Sequence, residues 1–393
     1  MLMNKSIADI TEYNCCGCRA CEQICPKKAI SMIENENGFL MPFVDNSKCI
    51  ECGLCVQSCA FKEPVNKNVP LSVYAARFLN DEILEKSSSG GIFPAISYEI
   101  LKSKAVVVGC SYNERLKAEH ICIEDVDEIV HLQGSKYVQS DTLNTYTKIR
   151  EYLNCGRTVL FSGTPCQVGG LKKYLQKDYD NLFTIETICH GAPSPKIFAK
   201  YLEWLAERFG SRVVGFSFRD KEKKAWGGFD LRVQLENGTV KFIYGQTDPY
   251  FVGFFEGRLS RDSCYNCVYA TKDRVADLTL GDYWGIEKAH IDFVDPRGVS
   301  VVLVNSKKGE WLFDLIKDKI SYVKSDWESA ALLNPELKRP AIKPEVRDRF
   351  YIKFREGNNN EFFSKTLKPG FRLKKRINNI IPFKLRTIVK RIK

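Results

Sequence analysis

The chain has 393 residues, 44% hydrophobic and 27% charged. That is enough for two or three domains with buried cores, and it excludes a largely disordered chain. The net charge of +11 does not point to nucleic acid: eleven Lys and Arg and no acid lie between Lys365 and Lys393, and the rest is neutral. The first ten residues lack the apolar core of a signal peptide, and no apolar run approaches a membrane span. A cytoplasmic, reducing compartment is therefore expected for a chain with 16 cysteines.

Nine of those cysteines fall between Cys15 and Cys59. They read Cys15-x2-Cys18-x2-Cys21-x3-Cys25, then Cys49-x2-Cys52-x2-Cys55-x3-Cys59. Soft thiolates on short spacers let one loop wrap three corners of an iron–sulfur cube, and in this grammar the fourth cysteine serves the other cluster. The expected sets are Cys15, Cys18, Cys21 and Cys59 for a first 4Fe–4S cluster, and Cys49, Cys52, Cys55 and Cys25 for a second. Cys16 is left over. A zinc knuckle or a disulfide staple is the alternative, but neither calls for eight cysteines in two copies of one spacing. Residues 1–64 thus form a small α+β ferredoxin-like module, with strands expected at 29–33 and 39–44, and the Pro- and Asn-bearing stretch 65–71 is expected to be a linker.

A strand over 72–79 opens the next domain. Ser87, Ser88, Ser89, Gly90 and Gly91 then precede a helical pattern at Ile92, Phe93, Ile96, Ile100 and Leu101. Free backbone amides at such a helix start suit a phosphate, although serines and glycines are also ordinary cap and turn residues. A buried strand at 105–110 and a polar loop Gly134–Ser140, whose Lys136 suits an anionic cofactor, come next. The strand 158–163 runs into Thr164, Pro165 and Cys166 before a helix. The strand 182–189 ends in Cys189, His190 and Gly191, and a helix spans 195–209. A hairpin is expected from 213–219 and 229–235, turned at Asn237–Gly238. Cys264-x2-Cys267 follows, then strands at 278–285 and 299–305, and prolines 335, 340 and 344 mark the exit of the core.

In open α/β sheets ligands sit at the carboxyl ends of strands, where Cys166 and Cys189 fall. With Cys264 and Cys267 they make a possible third cluster. Zinc, separate buried cysteines, or a reactive Cys166 thiol at a helix start remain open on spacing alone. Cys110, Cys122 and Cys155 read as packed small hydrophobes. His190 reads as a hydrogen-bonded structural histidine or, alternatively, as a proton donor.

Taken together, Ser89-Gly90-Gly91, Gly134 to Tyr137, Phe161 to Gln167, Cys189 to Gly191, Phe218 to Lys221, Cys264-x2-Cys267, Ala276 to Gly285 and Asn334-Pro335 resemble the beta-subunit family of coenzyme F420 hydrogenase/dehydrogenase, fused to a two-cluster ferredoxin. The resemblance covers about residues 72–345. It implies a mixed α/β fold in which an α/β flavin and iron–sulfur domain, without the Rossmann fingerprint, follows the ferredoxin module. It further implies FAD, a third 4Fe–4S cluster on Cys166, Cys189, Cys264 and Cys267, and a flavin site at Ser89, Gly90 and Gly91. Lys136, Gly163 and Thr164 are then candidate cofactor contacts, and Lys136 and Asp282 catalytic candidates. The implied activity is an iron–sulfur flavoprotein oxidoreductase, with F420 or another hydride carrier as substrate and an electron-carrier protein or oxidoreductase subunit as partner. Relatives with this arrangement are also associated with surface polysaccharide synthesis. A non-catalytic electron-transfer subunit or an iron–sulfur scaffold is the rival. Residues 346–393 read as a basic amphipathic tail suited to an anionic membrane surface at the inner face.

Overall fold

The structure, a computed structural model, describes residues 6–62 and 64–367. Most of the basic tail therefore lies outside the described residues. The N-terminal module carries an antiparallel pair, β1 (Ile30–Glu34) and β2 (Leu40–Val44), and two short helices, Ala20–Ile24 and Leu54–Gln57. Its apolar core is small: Ile7, Ile30, Val44 and Phe61 pack with the cysteines themselves.

The larger domain is built on strands β3 (Ser72–Phe78), β4 (Val106–Tyr112), β5 (Ala118–Ile123), β6 (Val159–Gly163), β7 (Leu182–Thr187), β8 (Val213–Asp220), β9 (Asp230–Leu235), β10 (Val240–Tyr244), β11 (Leu278–Asp282), β12 (Ser300–Val304) and β13 (Ile320–Ser325). Eight of them form one mixed sheet in the order β13-β3-β12-β11-β7-β6-β4-β5, in which β4, β6, β7 and β11 run parallel. Strand side chains alternate between faces, so Val107, Leu160 and Ile185 meet the helix Ile92–Leu101 on one face. Val106, Val108, Val159 and Phe161 meet the helices Thr145–Asn154 and Pro165–Leu175 on the other. Both faces are covered, which is why the central strands read as continuous apolar runs. A second antiparallel sheet, β10-β9-β8, closes an aromatic-rich core with the helix Pro195–Phe209.

Several elements differ from expectation. The Asn237–Gly238 turn joins β9 to β10 rather than β8 to β9. The stretch 65–71 is docked on the domain: Asn68 pairs with Arg274, and the Leu71 amide donates to Val304 at 2.7 Å. The amphipathic tail does not begin at 346. The helix Arg347–Glu356 turns Phe350, Tyr351 and Phe354 into the same core as Tyr201 and Tyr250, and Phe362, Phe363 and Leu367 follow them inward. Cys155, expected to be packed, is exposed at the end of the helix Thr145–Asn154, whereas Cys110 and Cys122 are half-buried. Among the described residues no helix is long and apolar enough to cross a membrane.

Candidate functional site

A single cavity of about 430 Å³ opens at the carboxyl ends of the four parallel strands. Its wall takes in Ser89, Gly91, Lys136, Gly163, Thr164 and Asp282, and also Cys166, Cys189, Cys264 and Cys267. The topology thus brings together residues spread over about 190 positions of sequence.

The loops that line the cavity are tied to one another. Ser89 Oγ donates to the Val299 carbonyl at 3.0 Å, the Gly90 amide to Ser300 Oγ at 2.9 Å, and the Ser135 amide to Ser88 Oγ at 2.8 Å. The helix Ile92–Leu101 begins at Gly91 without a side-chain cap, which leaves its first amides free toward an anion. Lys136 Nζ donates to the carbonyls of Gln133 (2.8 Å) and His131 (3.2 Å), and burial lowers its pKa. Thr164 starts the helix Pro165–Leu175, with its amide donating to Gln167 Oε1 at 3.0 Å.

Asp282 is fully engaged. Arg219, buried and lying over the rings of Phe229 and Trp284, donates to Asp282 Oδ2 at 2.8 Å and Oδ1 at 3.2 Å, and Trp226 Nε1 donates to Oδ1 at 2.6 Å. Both carboxylate oxygens are thus taken, and the pair holds the Arg219 guanidinium in place. His120 carries no sequence signal. It is 3% exposed, burial pushes its pKa down to about 4, and Nε2 stands 3.2 Å from the Ser162 carbonyl while Nδ1 has no partner. His190 bridges Glu336 (2.6 Å) and the Phe255 carbonyl (3.1 Å); burial lowers its pKa, but the carboxylate outweighs it and the net shift is upward.

At the other end of the cavity stand the cysteines. Cys166 is the second residue of the helix Pro165–Leu175, Cys189 follows β7, Cys264 lies within the turn Asp262–Asn266 and Cys267 caps its end. Arg347 donates to the Ser260 carbonyl and to Asp262 and so holds that turn, and Arg274, in a buried ion pair with Glu186 of β7, ties the following Tyr269 and Thr271 carbonyls to the sheet. A hydrogen bond with Cys16 and burial keep the Cys166 thiol well above its usual pKa, against the expectation of a reactive thiolate, and burial pushes Cys264 up to about 12 and Cys267 up to about 11. Among the described residues no three His, Cys, Asp or Glu side chains converge on one point as a single metal ion requires. The four cysteines instead line the same cavity, and Cys189 lies within the field of the other three. Soft donors spaced in this way fit a cluster.

The N-terminal sets are similarly arranged. Cys25, Cys49, Cys52 and Cys55 line one small cavity. Cys21 and Cys59 each lie within the field of Cys15. Cys18 packs on Gly170 of the helix Pro165–Leu175, where an added Cβ would stand 2.8 Å from its sulfur. The larger domain also grips the Cys15–Cys18 loop by its carbonyls: Arg261 binds Cys15, Gln139 binds Cys16 at 2.8 Å, and Thr142 binds Cys18 at 3.0 Å. Tyr269 adds a hydrogen bond to the Ala60 carbonyl at 2.6 Å. The Cys15–Cys18 loop therefore faces the domain, with leftover Cys16 beside Cys166, while Cys52 is exposed. Of these gripping residues Gln139 lies in the polar loop Gly134–Ser140 and Arg261 three positions before Cys264, while Thr142 and Tyr269 carry no sequence signal.

Comparison with known proteins shows the family of the chain. The family model for the coenzyme F420 hydrogenase/dehydrogenase beta subunit matches in its N-terminal part at residues 73–146 and in its C-terminal part at 156–328, together more than half of the chain. A 4Fe–4S dicluster model matches residues 14–62. Among curated relatives, a subunit of the F420H2 dehydrogenase of Methanosarcina mazei is 20% identical over 334 residues, 81% of this chain and 87% of the relative. The coenzyme F420-dependent sulfite reductase of Methanocaldococcus jannaschii is 22% identical over 372 residues, 89% of this chain but only 52% of the relative. A solved chain from the F420-reducing NiFe hydrogenase complex of Methanosarcina barkeri aligns at 19% identity, covering 69% of this chain and 88% of that one, with a TM-score of 0.48. The chain belongs to the coenzyme F420 hydrogenase/dehydrogenase beta-subunit family and carries a 4Fe–4S dicluster domain ahead of the family domain.

Proposed function

We propose that this chain is an iron–sulfur flavoprotein oxidoreductase subunit that links a one-electron carrier at its N-terminal module to a hydride carrier of the F420 type at the main cavity. In this reading FAD occupies the cavity, and 4Fe–4S clusters sit on Cys15, Cys18, Cys21 and Cys59, on Cys25, Cys49, Cys52 and Cys55, and on Cys166, Cys189, Cys264 and Cys267. The supporting observation is the continuity of one cavity from the Ser89–Gly91 loop to the second cysteine set, with Cys16 and Phe61 of the N-terminal module in the same wall.

A bound flavin supplies the exchange between hydride and single-electron chemistry, which clusters alone do not perform. The chain's own residues would do the rest. The free amides of the helix Ile92–Leu101 and the Lys136 ammonium hold an anionic pyrophosphate. Arg219, fixed by Asp282 and by the rings of Phe229 and Trp284, presents a rigid cationic wall. His120, whose pKa burial lowers to about 4, stands as a neutral imidazole in the wall of the cavity. The exposed Cys52, beside Ile50 at 57% exposure, marks the face where a carrier protein or partner subunit docks.

The test is anaerobic FAD titration followed by quenching of flavin fluorescence. Wild type is expected to bind one FAD per chain, and Lys136→Ala to bind about tenfold more weakly or worse through loss of one charge-assisted contact. Absence of flavin binding to wild type contradicts the proposal. Reduction of F420 or oxidation of F420H2 coupled to a dye then tests the carrier.

A further inference from the structure

Four arginines are buried among the described residues, and three of them face a carboxylate: Arg219 with Asp282, Arg274 with Glu186, and Arg347 with Asp262. The fourth, Arg261, is 1% exposed and has no ion pair among the described residues. Its guanidinium donates to the Cys15 carbonyl, to the Leu40 carbonyl at 2.9 Å and to Gln139 Oε1 at 3.2 Å; it touches Met41 Sδ at 2.8 Å and lies 5.3 Å from the Phe39 ring centroid. All of these are neutral. Arginine cannot shed its proton to escape burial, and a buried charge without a counter-charge is strongly disfavoured. The site therefore lacks an anion that no side chain provides.

Two features show where that anion would be. Arg261 is folded into the Cys15–Cys18 loop: Gly17 has φ +70°, and a Cβ there would stand 3.0 Å from Arg261 Nη1 and 2.7 Å from Gln139 Nε2, so only glycine lets the guanidinium lie this close. On its other side Arg261 lines the main cavity, and its charge acts on both Cys166 and Cys264. A 4Fe–4S cluster held by four thiolates is an anion in every common oxidation state.

We infer that Arg261 is the shared counter-cation of the first N-terminal cluster and of the cluster on Cys166, Cys189, Cys264 and Cys267, a step that rests on the ligand sets proposed above. A fixed positive charge favours the more negative, reduced form of each, and so raises both reduction potentials relative to the second cluster, where Cys52 is exposed. It would make inward electron transfer from the docking face the favoured direction.

The test uses the full chain, purified anaerobically, with each cluster's midpoint read by redox titration under EPR. Signals are assigned with Cys52→Ser and Cys264→Ser, and iron and sulfide are counted in every variant. In R261Q the midpoints of the first and third clusters are expected to fall while that of the second stays where it is in wild type. R261K, which keeps the charge but not the planar fork, is expected to hold both midpoints close to wild type. An unmoved first cluster, an equal shift of all three, or an R261K shift as large as that of R261Q overturns the inference. Should R261Q lose its iron, G17A displaces the guanidinium with its charge intact. A smaller drop in the same two midpoints is then expected, and no drop is contrary to the inference. A wild type with about eight irons instead of about twelve contradicts the third-cluster reading itself, and the first cluster's midpoint still decides the role of Arg261.

Discussion

The N-terminal module and the larger domain are held together by different means. The module has one two-stranded sheet and a handful of apolar side chains, among which its cysteines are themselves packed. The domain wraps an eight-stranded sheet on both faces and adds an aromatic core around Tyr201, Phe218 and Tyr250. A unit as small as the module rarely closes its free-energy balance with a core alone, so bound metal and docking carry it. The domain's grip on three carbonyls of the Cys15–Cys18 loop supplies the docking, and Cys16 of that loop reaches the wall of the cavity.

The largest effect expected from this difference follows removal of iron. Chelation under anaerobic conditions should make residues 15–59 susceptible to proteolysis while residues 72–345 keep one cooperative unfolding transition; equal protection of both parts would break the comparison. Next comes the domain's own charged tie. Arg274→Met leaves Glu186 buried without its counter-charge and should cost about 3–5 kcal/mol in urea unfolding, whereas Arg274→Met combined with Glu186→Leu should recover much of that loss. Gly170→Ala should cost about 1–3 kcal/mol, because the added Cβ meets Cys18 and Tyr146 Oη, and the change should register in the first cluster's EPR signal as well as in unfolding. The smallest is Asp141→Asn, which weakens a partly exposed pair with Arg19 across the docking surface and should change stability by about 1 kcal/mol or less.

What is legible in the chain follows the same division. The module's ligands are local, so spacing alone groups them. The second set is assembled by topology from a helix start, a strand end and a turn, so spacing leaves it ambiguous and only the order of motifs points to it. Buried parallel strands such as β4 and β6 are legible as apolar runs, but β5, β10 and β13 are not. Each lies at the edge of its sheet and carries polar residues, as Ser321 and Lys324 in β13 show. The helix Arg347–Glu356 is hidden by its charged face, where Arg349, Lys353 and Arg355 mask the inward Phe350, Tyr351 and Phe354. Arg261 illustrates the limit most plainly, since nothing in a sequence marks an arginine as buried without a carboxylate.

The most direct measurement is the stoichiometry of iron, sulfide and flavin in anaerobically purified protein, for wild type and for a Cys166→Ala, Cys264→Ala variant. The account predicts about twelve irons and one FAD in wild type, falling to about eight irons in the variant. About eight irons in both, with no flavin, would contradict it and leave the dicluster module attached to a domain of another purpose.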